Sequence, residues 1–152
     1  MKNLGFACML ALVWLAAIAG APHAAMIHPG LVLCPTGAVS NDAPVLAERC
    51  DPRRMNQQWT LDKATSELRL DSTTKKMCMD VAGKLILPAV KVVVYECNGQ
   101  HNQKWEFMGA ELRVKGGRFC LTLPSWDEKE QFKIYECDRN RWGGLQRWYY
   151  AP

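Results

Sequence analysis

The tripeptide Gln-x-Trp occurs three times at near-constant spacing, and this repeat constrains the fold more than any other feature of the chain. The copies end at Trp59, Trp105 and Trp148, so the steps between tryptophans are 46 and 43 residues. Self-similarity at a fixed period of this length is typical of folds built from repeated supersecondary units. The repeat therefore predicts three similar units, which span roughly residues 26–70, 71–115 and 116–152.

Other residues recur in phase with the tryptophans. The tripeptide Tyr-Glu-Cys ends at Cys97 and again at Cys137, and Glu-Leu-Arg follows the first and second tryptophans, at positions 67–69 and 111–113. Each unit carries one cysteine near its start and one before its tryptophan. Six cysteines can pair in many ways, but units that fold alike would pair them internally. The repeat therefore predicts three disulfides, Cys34–Cys50, Cys78–Cys97 and Cys120–Cys137.

The local pattern between these markers is one of short strands and turns. Apolar stretches rich in β-branched and aromatic residues alternate with turn residues roughly every 5 to 12 positions, which is typical of an all-β sandwich or barrel. No segment keeps a helical period over about 12 residues, although a single helical turn is expected at positions 51–56. Pro88 interrupts an apolar stretch and is expected at a bulge, turn or edge. The expected strands include residues 31–33, 90–95, 112–114, 119–123 and 132–135.

The first 25 residues have the layout of a secretory signal peptide. A positively charged start precedes an uncharged apolar run at positions 4–19, and small residues follow. The run is shorter than the roughly 20 residues that span a bilayer, which argues against a retained anchor. We expect cleavage near Ala25, which removes Cys8 and leaves 127 residues with six cysteines. The mature protein is then expected to be secreted or periplasmic, with no integral membrane segment, where disulfides persist.

These features carry a family resemblance. Three Gln-x-Trp units, each with a cysteine pair, resemble the ricin-type β-trefoil lectin domain, and the second unit is the closest copy, at positions 78–81, 93–99 and 102–105. The resemblance covers residues 26–152. It implies an all-β fold in which a six-stranded barrel is capped by three hairpins with pseudo-threefold symmetry. Closure of that kind removes exposed sheet edges.

The Gln-x-Trp motif itself is interpreted as structural. Large aromatic side chains are highly buried on average, so we expect the three tryptophans in the core, one per unit. We expect the three glutamines to hydrogen-bond to backbone near the turns. The motif thus predicts the scaffold and does not locate a ligand. Its residues are Gln57, Trp59, Gln103, Trp105, Gln146 and Trp148.

A sugar site is expected in the second unit alone. Sugar recognition needs a carboxylate for neighbouring hydroxyls, an aromatic face for the apolar patch of a pyranose, and an amide. The first and third units have Thr36 and Thr122 where lectins of this kind have the carboxylate. In the second unit, Val93 replaces a residue that is often polar. The resemblance implies a galactose-type ligand bound by Asp80, Tyr95, Asn102 and Gln103.

Other interpretations stay open. Asp80 also suits a turn cap and Tyr95 a packing role, since Asp is common in turns. The chain is similar in domain type to the binding subunits of cytolethal distending toxins, so a second hypothesis is a protein-interaction or cell-binding subunit of a secreted toxin or effector complex. Trp126 and Trp142 lie in polar loops, where they suit contact with a protein partner or packing onto the barrel. A trefoil protease inhibitor is a third hypothesis, although no loop points to one.

Composition and motifs do not favour other function classes. The formal net charge of +4 is small, and the basic pairs at 53–54 and 75–76 are too few to indicate nucleic-acid binding. The sequence has no His-Glu-x-x-His motif and no phosphate-binding loop, and disulfide-bonded cysteines would not ligate zinc. We therefore expect a non-catalytic protein without cofactor or metal, whose partner is a carbohydrate or glycoconjugate.

Overall fold

A computed structural model describes residues 24–28, 31–71 and 74–150 of the chain. Over these residues the protein consists of 13 short strands with single helical turns between them. None of these described helices exceeds four residues, and α1 (Arg139–Trp142) is the one with α-helical geometry. Within the same ranges, no helix has the length and apolar character that crossing a membrane requires. This composition confirms the all-β class expected from the strand and turn pattern.

Six strands pair two by two and form the barrel. In each pair, one strand begins at a motif tryptophan or directly after it, and its partner strand runs antiparallel to it. In the first pair, Trp59 lies opposite Leu70. The last pair joins the two ends of the described chain, with Ala24 opposite Tyr150, and this pairing closes the barrel. The pairs are β5 (Trp59–Leu61) with β6 (Leu68–Leu70), β9 (Trp105–Met108) with β10 (Glu111–Val114), and β13 (Tyr149–Tyr150) with β1 (Ala24–His28).

Three antiparallel hairpins cap the barrel. Each joins the strand that carries the first cysteine of a unit to the strand that ends just before the second cysteine. A short strand, β3 (Ala43–Pro44), adds to the edge of the second-unit hairpin. Barrel and hairpins together are the β-trefoil that the resemblance implied. The hairpins are β2 (Leu31–Thr36) with β4 (Leu46–Arg49), β7 (Met77–Val81) with β8 (Val92–Glu96), and β11 (Phe119–Thr122) with β12 (Lys133–Glu136).

Each hairpin is closed by a disulfide between the cysteines that the repeat pairs. The Cα–Cα distances are 5.0, 5.0 and 5.1 Å, and the closed loops span 16, 19 and 17 residues. A loop of about 15 residues contributes roughly 3 kcal/mol by restricting the unfolded chain. The predicted pairing is confirmed, and each unit is cross-linked within itself. The bonds are Cys34–Cys50, Cys78–Cys97 and Cys120–Cys137.

The three motif tryptophans lie in the hydrophobic core. None is more than 2% exposed, and each indole Nε1 donates a hydrogen bond to the carbonyl of the residue that follows the first cysteine of its unit. A buried indole N–H needs such a partner. At Gly37 a Cβ would lie 3.0 Å from Trp59, so glycine leaves the room that this indole occupies. The acceptors are Pro35, Met79 and Leu121, at 2.8, 2.9 and 3.2 Å.

The three motif glutamines make one repeated set of hydrogen bonds, which we call the glutamine clamp. The side-chain Nε2 donates to the residue two positions after the first cysteine and to the carbonyl just before the second cysteine. The side-chain Oε1 accepts from the backbone N–H just after the second cysteine. All nine distances lie between 2.8 and 3.0 Å. The clamped side-chain pairs are Gln57 with Thr36, Gln103 with Asp80 and Gln146 with Thr122.

Local elements refine the sequence pattern in three places. The helical turn expected at positions 51–56 is a 3₁₀ turn at Met55–Gln57. Pro88 lies in the loop between β7 and β8, outside the ladder. Helix α1 has no counterpart in the predicted pattern. It begins because the Asp138 carboxylate accepts from the N–H groups of Asn140 and Arg141, which caps the first turn.

Most of the predicted leader, residues 1–23, lies outside the described residues. Ala24 and Ala25, which we expected in the leader, belong to β1, where they pair with Tyr150 and Tyr149. Cleavage after Ala25 would remove both residues from the barrel, whereas cleavage before Ala24 would retain them. The leader and its cleavage position stay predictions.

Candidate functional site

A cavity of about 330 Å³ opens beside the second-unit hairpin. Strand β7 carries Asp80, strand β8 carries Tyr95, and the 3₁₀ turn His101–Gln103 carries Asn102. These three predicted site residues line the cavity, whereas the fourth, Gln103, is fully buried behind Asp80. The lining residues are Asp42, Asp80, Gly83, Lys84, Tyr95, Asn98 and Asn102.

Two amides hold the Asp80 carboxylate. Its Oδ1 accepts from Nδ2 of Asn102 and its Oδ2 accepts from Nε2 of Gln103, both at 2.8 Å. Both donors are side chains, whereas a turn cap accepts from backbone N–H groups. Asp80 is only 4% exposed, and an ionised carboxylate has about four acceptor positions. Each oxygen therefore keeps capacity for a further donor.

Burial sets the ionisation of Asp80. Loss of solvent raises the pKa of this carboxyl, and the charge of Asp42 adds to that effect. The hydrogen bonds from Gln103 and Asn102, together with the charge of Lys84, act in the opposite direction. The net result is that the Asp80 pKa lies above its usual range, so the ionised form is less favourable here than in water. A ligand that donates hydrogen bonds to the carboxylate would stabilise the ionised form.

Asn102 keeps one acceptor open at the same place. Its Nδ2 also donates to the carbonyl of Val81 at 3.1 Å. Its Oδ1 is buried and has no hydrogen-bond partner among the residues that the structure describes. An unsatisfied buried polar atom costs about 1–3 kcal/mol. A donor supplied by a ligand would remove that cost.

Tyr95 and Val93 give the site an apolar component on strand β8. Tyr95 is half-buried and lines the cavity, with part of its ring accessible. Val93 lies opposite Asp80 in the hairpin register and is 6% exposed. The departure from the family pattern at position 93 therefore puts an aliphatic side chain next to the carboxylate, where a polar side chain would have offered a further hydrogen bond.

Four of the lining residues were not among the site residues predicted from the sequence. Asp42 comes from the first unit and reaches the cavity because β3 pairs with β8 and because Asn41 Oδ1 accepts from the Glu96 N–H at 2.9 Å. Gly83 and Lys84 have φ angles of 65° and 61° in the turn after β7. A comparison of equivalent positions between units could not find Asp42. The four are Asp42, Gly83, Lys84 and Asn98.

The third unit has a different cavity, of about 240 Å³. Thr122 stands where a carboxylate would be, and its hydroxyl is taken by the glutamine clamp. Tyr135 is partly covered by Trp142, with ring centroids 4.6 Å apart. Trp142 also lies under the guanidinium of Arg141, 5.1 Å from the ring centroid. The lining residues are Pro88, Tyr135, Glu136, Asp138, Arg141 and Trp142.

Both loop tryptophans pack onto the protein with part of their surface exposed. Trp126 is half-buried and packs against the hydrophobic core. It lies so close to Gly144 that a Cβ there would be 3.1 Å from the indole. Trp142 is half-buried against Tyr135. Both tryptophans therefore pack onto the protein, and contact with a protein partner stays a prediction.

Two groups of potential metal ligands occur in the described part of the chain, and both are structural. Glu67 lies near Cys78 and Cys97, and Glu111 lies near Cys120 and Cys137. The four sulfur atoms are bonded in disulfides and are not thiolate ligands. The carboxylates instead contact arginines two residues ahead, which are Arg69 at 2.8 Å from Glu67 and Arg113 at 2.6 Å from Glu111.

Comparisons with known proteins agree with this architecture. The family model of the ricin-type beta-trefoil lectin domain matches residues 27–105 and 67–152. No curated protein matches the chain significantly by sequence. The designed three-fold symmetric protein ThreeFoil has a TM-score of 0.70 at 20% identity, and the match covers 86% of this chain and 97% of that chain.

Two natural lectins of known structure are also similar. The β-trefoil lectin of the Vibrio vulnificus hemolysin/cytolysin, with N-acetyl-D-lactosamine bound, has a TM-score of 0.65 at 19% identity over 86% of this chain and 93% of that chain. The C-half of the earthworm R-type lectin, in complex with GalNAc, has a TM-score of 0.66 at 12% identity over 86% and 98%. At such identities the similarity shows the fold alone, but the family model spans the three units. The chain belongs to the family of ricin-type β-trefoil lectin domains.

Proposed function

We propose that the protein is a non-catalytic lectin with one sugar site, the cavity at Asp80. The observation that carries the proposal is a buried carboxylate, ordered by two amides, beside the Asn102 Oδ1 that has no partner among the described residues. Membership of a lectin family supports carbohydrate binding in general. The carboxylate is present in the second unit, and threonine replaces it in the other two.

In the proposed binding mode, sugar hydroxyls occupy the acceptor positions that the two amides leave free on the carboxylate. Two neighbouring sugar hydroxyls donate to the remaining lone pairs of the Asp80 carboxylate, because one carboxylate can accept two parallel bonds. Asn102 holds the carboxylate in position through its Nδ2. The apolar C–H face of the pyranose packs on the ring of Tyr95, and aromatic surface of that kind suits a ligand with one apolar face. Lys84 and Asn98 line the cavity as further donors.

The proposed ligand is a galactose-type sugar. The axial 4-hydroxyl and equatorial 3-hydroxyl of galactose are neighbours on one side of the ring and leave the opposite face apolar. The two natural lectins above were solved with N-acetyl-D-lactosamine and with GalNAc, and both ligands contain a galactose-configured ring. A single shallow site of this kind should bind weakly, with a Kd of about 1 mM, or about −4 kcal/mol.

NMR titration of the ¹⁵N-labelled protein with methyl β-galactoside tests the proposal. We expect shifts confined to the residues around Asp80, Tyr95 and Asn102, and no saturable shifts with methyl α-mannoside at the same concentrations. Asp80→Asn keeps the shape of the side chain and removes its charge, so we expect at least tenfold weaker binding. Shifts centred elsewhere, or equal affinity in Asp80→Asn, would overturn the assignment of this site.

We also propose that the protein is exported, with residues 1–25 or a slightly shorter segment as its leader. The three disulfides among the described cysteines support this proposal, since such bonds persist in oxidising compartments. Edman sequencing of the protein secreted from an expression host would give the cleavage position directly. An intact N-terminus on exported protein, or retention in the cytoplasm, would contradict the proposal.

A second candidate function, a protein-interaction subunit, is favoured by the third-unit cavity. Arg141 and Trp142 are residue types that often anchor protein interfaces, and both line that cavity. Under this candidate, Trp142→Ala abolishes capture of a co-secreted partner and leaves the galactoside titration unchanged. If the native secretome contains no partner whose retention depends on Trp142, the candidate fails.

A further inference from the structure

The loop between β7 and β8, residues 82–91, exposes two leucines that one residue separates in the sequence. Leu85 and Leu87 are 56% and 55% exposed. A single exposed leucine needs no explanation. Two in one six-residue apolar stretch, with no polar residue between them, form an apolar tip on the hairpin that also carries the sugar cavity.

The loop is held in a fixed conformation that turns these two side chains outward. Ile86, which lies between them, and Val90, three residues after Leu87, are half-buried and pack against the hydrophobic core. The Leu87 N–H donates to the carbonyl of Leu85 at 3.0 Å, so the tip folds on itself. Ile86 and Val90 therefore anchor the loop to the core, and Leu85 and Leu87 remain exposed at its tip.

Backbone geometry supports this interpretation. Lys84 and Ala89 have backbone φ angles of 61° and 65°, values that residues other than glycine rarely adopt. The Ala89 N–H donates to the carbonyl of Ile134 on β12 at 2.8 Å, which ties the far side of the loop to the third unit. The conformation is thus imposed by tertiary contacts, and the tip is presented before any ligand binds.

Positive charge flanks the tip. Lys84 and Lys91 are exposed at the two ends of the apolar stretch, and neither forms an ion pair with a residue that the structure describes. Residues 82–91 contain no acidic residue, whereas the corresponding loop of the third unit, 123–132, contains Asp127, Glu128 and Glu130. The cationic, apolar character is therefore specific to the second-unit loop and not a property of the fold.

We propose that loop 82–91 is a shallow insertion site for an anionic lipid surface. Leu85 and Leu87 would enter the boundary between headgroups and acyl chains, and the two lysines would contact headgroup phosphates while their stems follow the apolar side chains. A stable protein partner needs roughly 800 Å² on each side, far more than this tip offers, whereas an interface with lipid accepts a few apolar side chains. Lys84 also lines the sugar cavity, so Leu85, Leu87 and Lys91 are the residues that distinguish this proposal from sugar binding.

Co-sedimentation with sugar-free vesicles tests this inference. Wild-type protein is incubated with vesicles of phosphatidylcholine alone, or with 30% phosphatidylserine, at about 0.1 M and 0.5 M salt. We expect binding to the anionic vesicles at low salt, weaker binding at high salt, and little binding to phosphatidylcholine. The double variant Leu85→Ser/Leu87→Ser should bind at least about tenfold more weakly, and Lys91→Gln should bind severalfold more weakly.

A matched control removes exposed apolar side chains from outside the loop. Met55 and Met108 are 49% and 50% exposed, and Met55→Ser/Met108→Ser should bind vesicles like the wild type. Asp80→Asn should also bind vesicles normally, which separates this inference from the sugar site. Failure of the wild type to bind anionic vesicles, or equal binding by the leucine variant, would overturn the proposal. So would a dimer by light scattering that the leucine variant converts to monomer, because the tip would then contact a second copy.

Discussion

The side-chain Nε2 of Gln103 donates a 2.8 Å hydrogen bond to Oδ2 of Asp80, so a glutamine of the structural motif directly orients the proposed sugar-binding carboxylate. In the first and third units the equivalent amide donates instead to a threonine hydroxyl, at 2.9 Å. The scaffold thus accepts either a carboxylate or a hydroxyl at this position.

Asp80→Thr should abolish galactoside binding while preserving the fold. Threonine supplies the acceptor that Gln103 needs, as Thr36 and Thr122 do in their units. Asn102 loses one acceptor but keeps the Val81 carbonyl, so the free energy of unfolding should fall by no more than about 3 kcal/mol. Binding should weaken at least tenfold because the two acceptor oxygens are lost. Urea unfolding and NMR titration measure the two effects. A variant that unfolds easily would show that the units are not equivalent at this position.

Gln146→Ala should destabilise the protein and leave sugar binding unchanged. The substitution deprives the Asp138 N–H, the Glu136 carbonyl and the buried Thr122 hydroxyl of their partner, and we expect a loss of about 3 kcal/mol in the free energy of unfolding. The matched variant is Gln103→Ala, which should be destabilised by a similar amount and should also lose galactoside affinity, since Asp80 is no longer held. Equal sugar affinity in both variants would contradict the orienting role of Gln103.

Sugar affinity should fall on acidification at a pH above the usual range for aspartate. The proposed site needs ionised Asp80, and burial raises the pKa of this carboxyl, so the proton that blocks binding enters above about pH 3.9. Titrations with methyl β-galactoside from neutral pH downward should show affinity lost as the pH drops through the raised pKa. Affinity that stays constant down to the pH at which the protein unfolds would contradict the carboxylate as a ligand group.

Ionisation of Asp80 should lower the free energy of unfolding, whereas it should strengthen sugar binding. Because the pKa of Asp80 is higher in the folded than in the unfolded state, ionised Asp80 destabilises the fold at neutral pH, and this cost disappears as the pH falls to the unfolded value. The stability difference between Asp80→Thr and the wild type should therefore shift in favour of the wild type on acidification. Thermal unfolding of both proteins at pH 7 and pH 4 gives this difference and cancels the contribution of other groups.

Removal of the second and third disulfides should separate stability from sugar binding. Cys78→Ser/Cys97→Ser and Cys120→Ser/Cys137→Ser open loops of 19 and 17 residues, so each should cost about 3 kcal/mol in the free energy of unfolding. Only the Cys78–Cys97 disulfide brackets Asp80 and Tyr95 in the sequence. Its removal alone should therefore weaken galactoside binding under conditions where both variants are folded. Loss of affinity in both variants would mean that the site depends on the whole scaffold.

The repeat made the scaffold predictable. Cys78 and Cys97 occupy equivalent positions to the other cysteines, so one assumption, that the units fold alike, leads to all three disulfides. The strands followed from the alternation of apolar stretches and turns. Helix α1 could not be predicted, because a four-residue helix has no periodicity and depends on the single cap at Asp138.

The lining of the candidate cavity was predictable only where the family resemblance applies. The resemblance implies Asp80, Tyr95 and Asn102, which stand at the family's distances from the cysteines and from the motif glutamine. Asp42 does not, because it belongs to the first unit and reaches the cavity through the pairing of β3 with β8. Lys84 depends on a left-handed backbone conformation, which no residue pattern indicates. Contacts between units are invisible to an argument that compares the units one by one.

The glutamine clamp has a consequence for how proteins of this architecture change over time. Positions 36, 80 and 122 are buried, and each accepts a hydrogen bond from its motif glutamine, although position 80 carries a carboxylate and the other two carry a hydroxyl. The clamp therefore requires an acceptor at these positions but no charge, and the charge of Asp80 is left to serve the proposed ligand. The number of proposed sugar sites can differ between such proteins while the clamp stays the same.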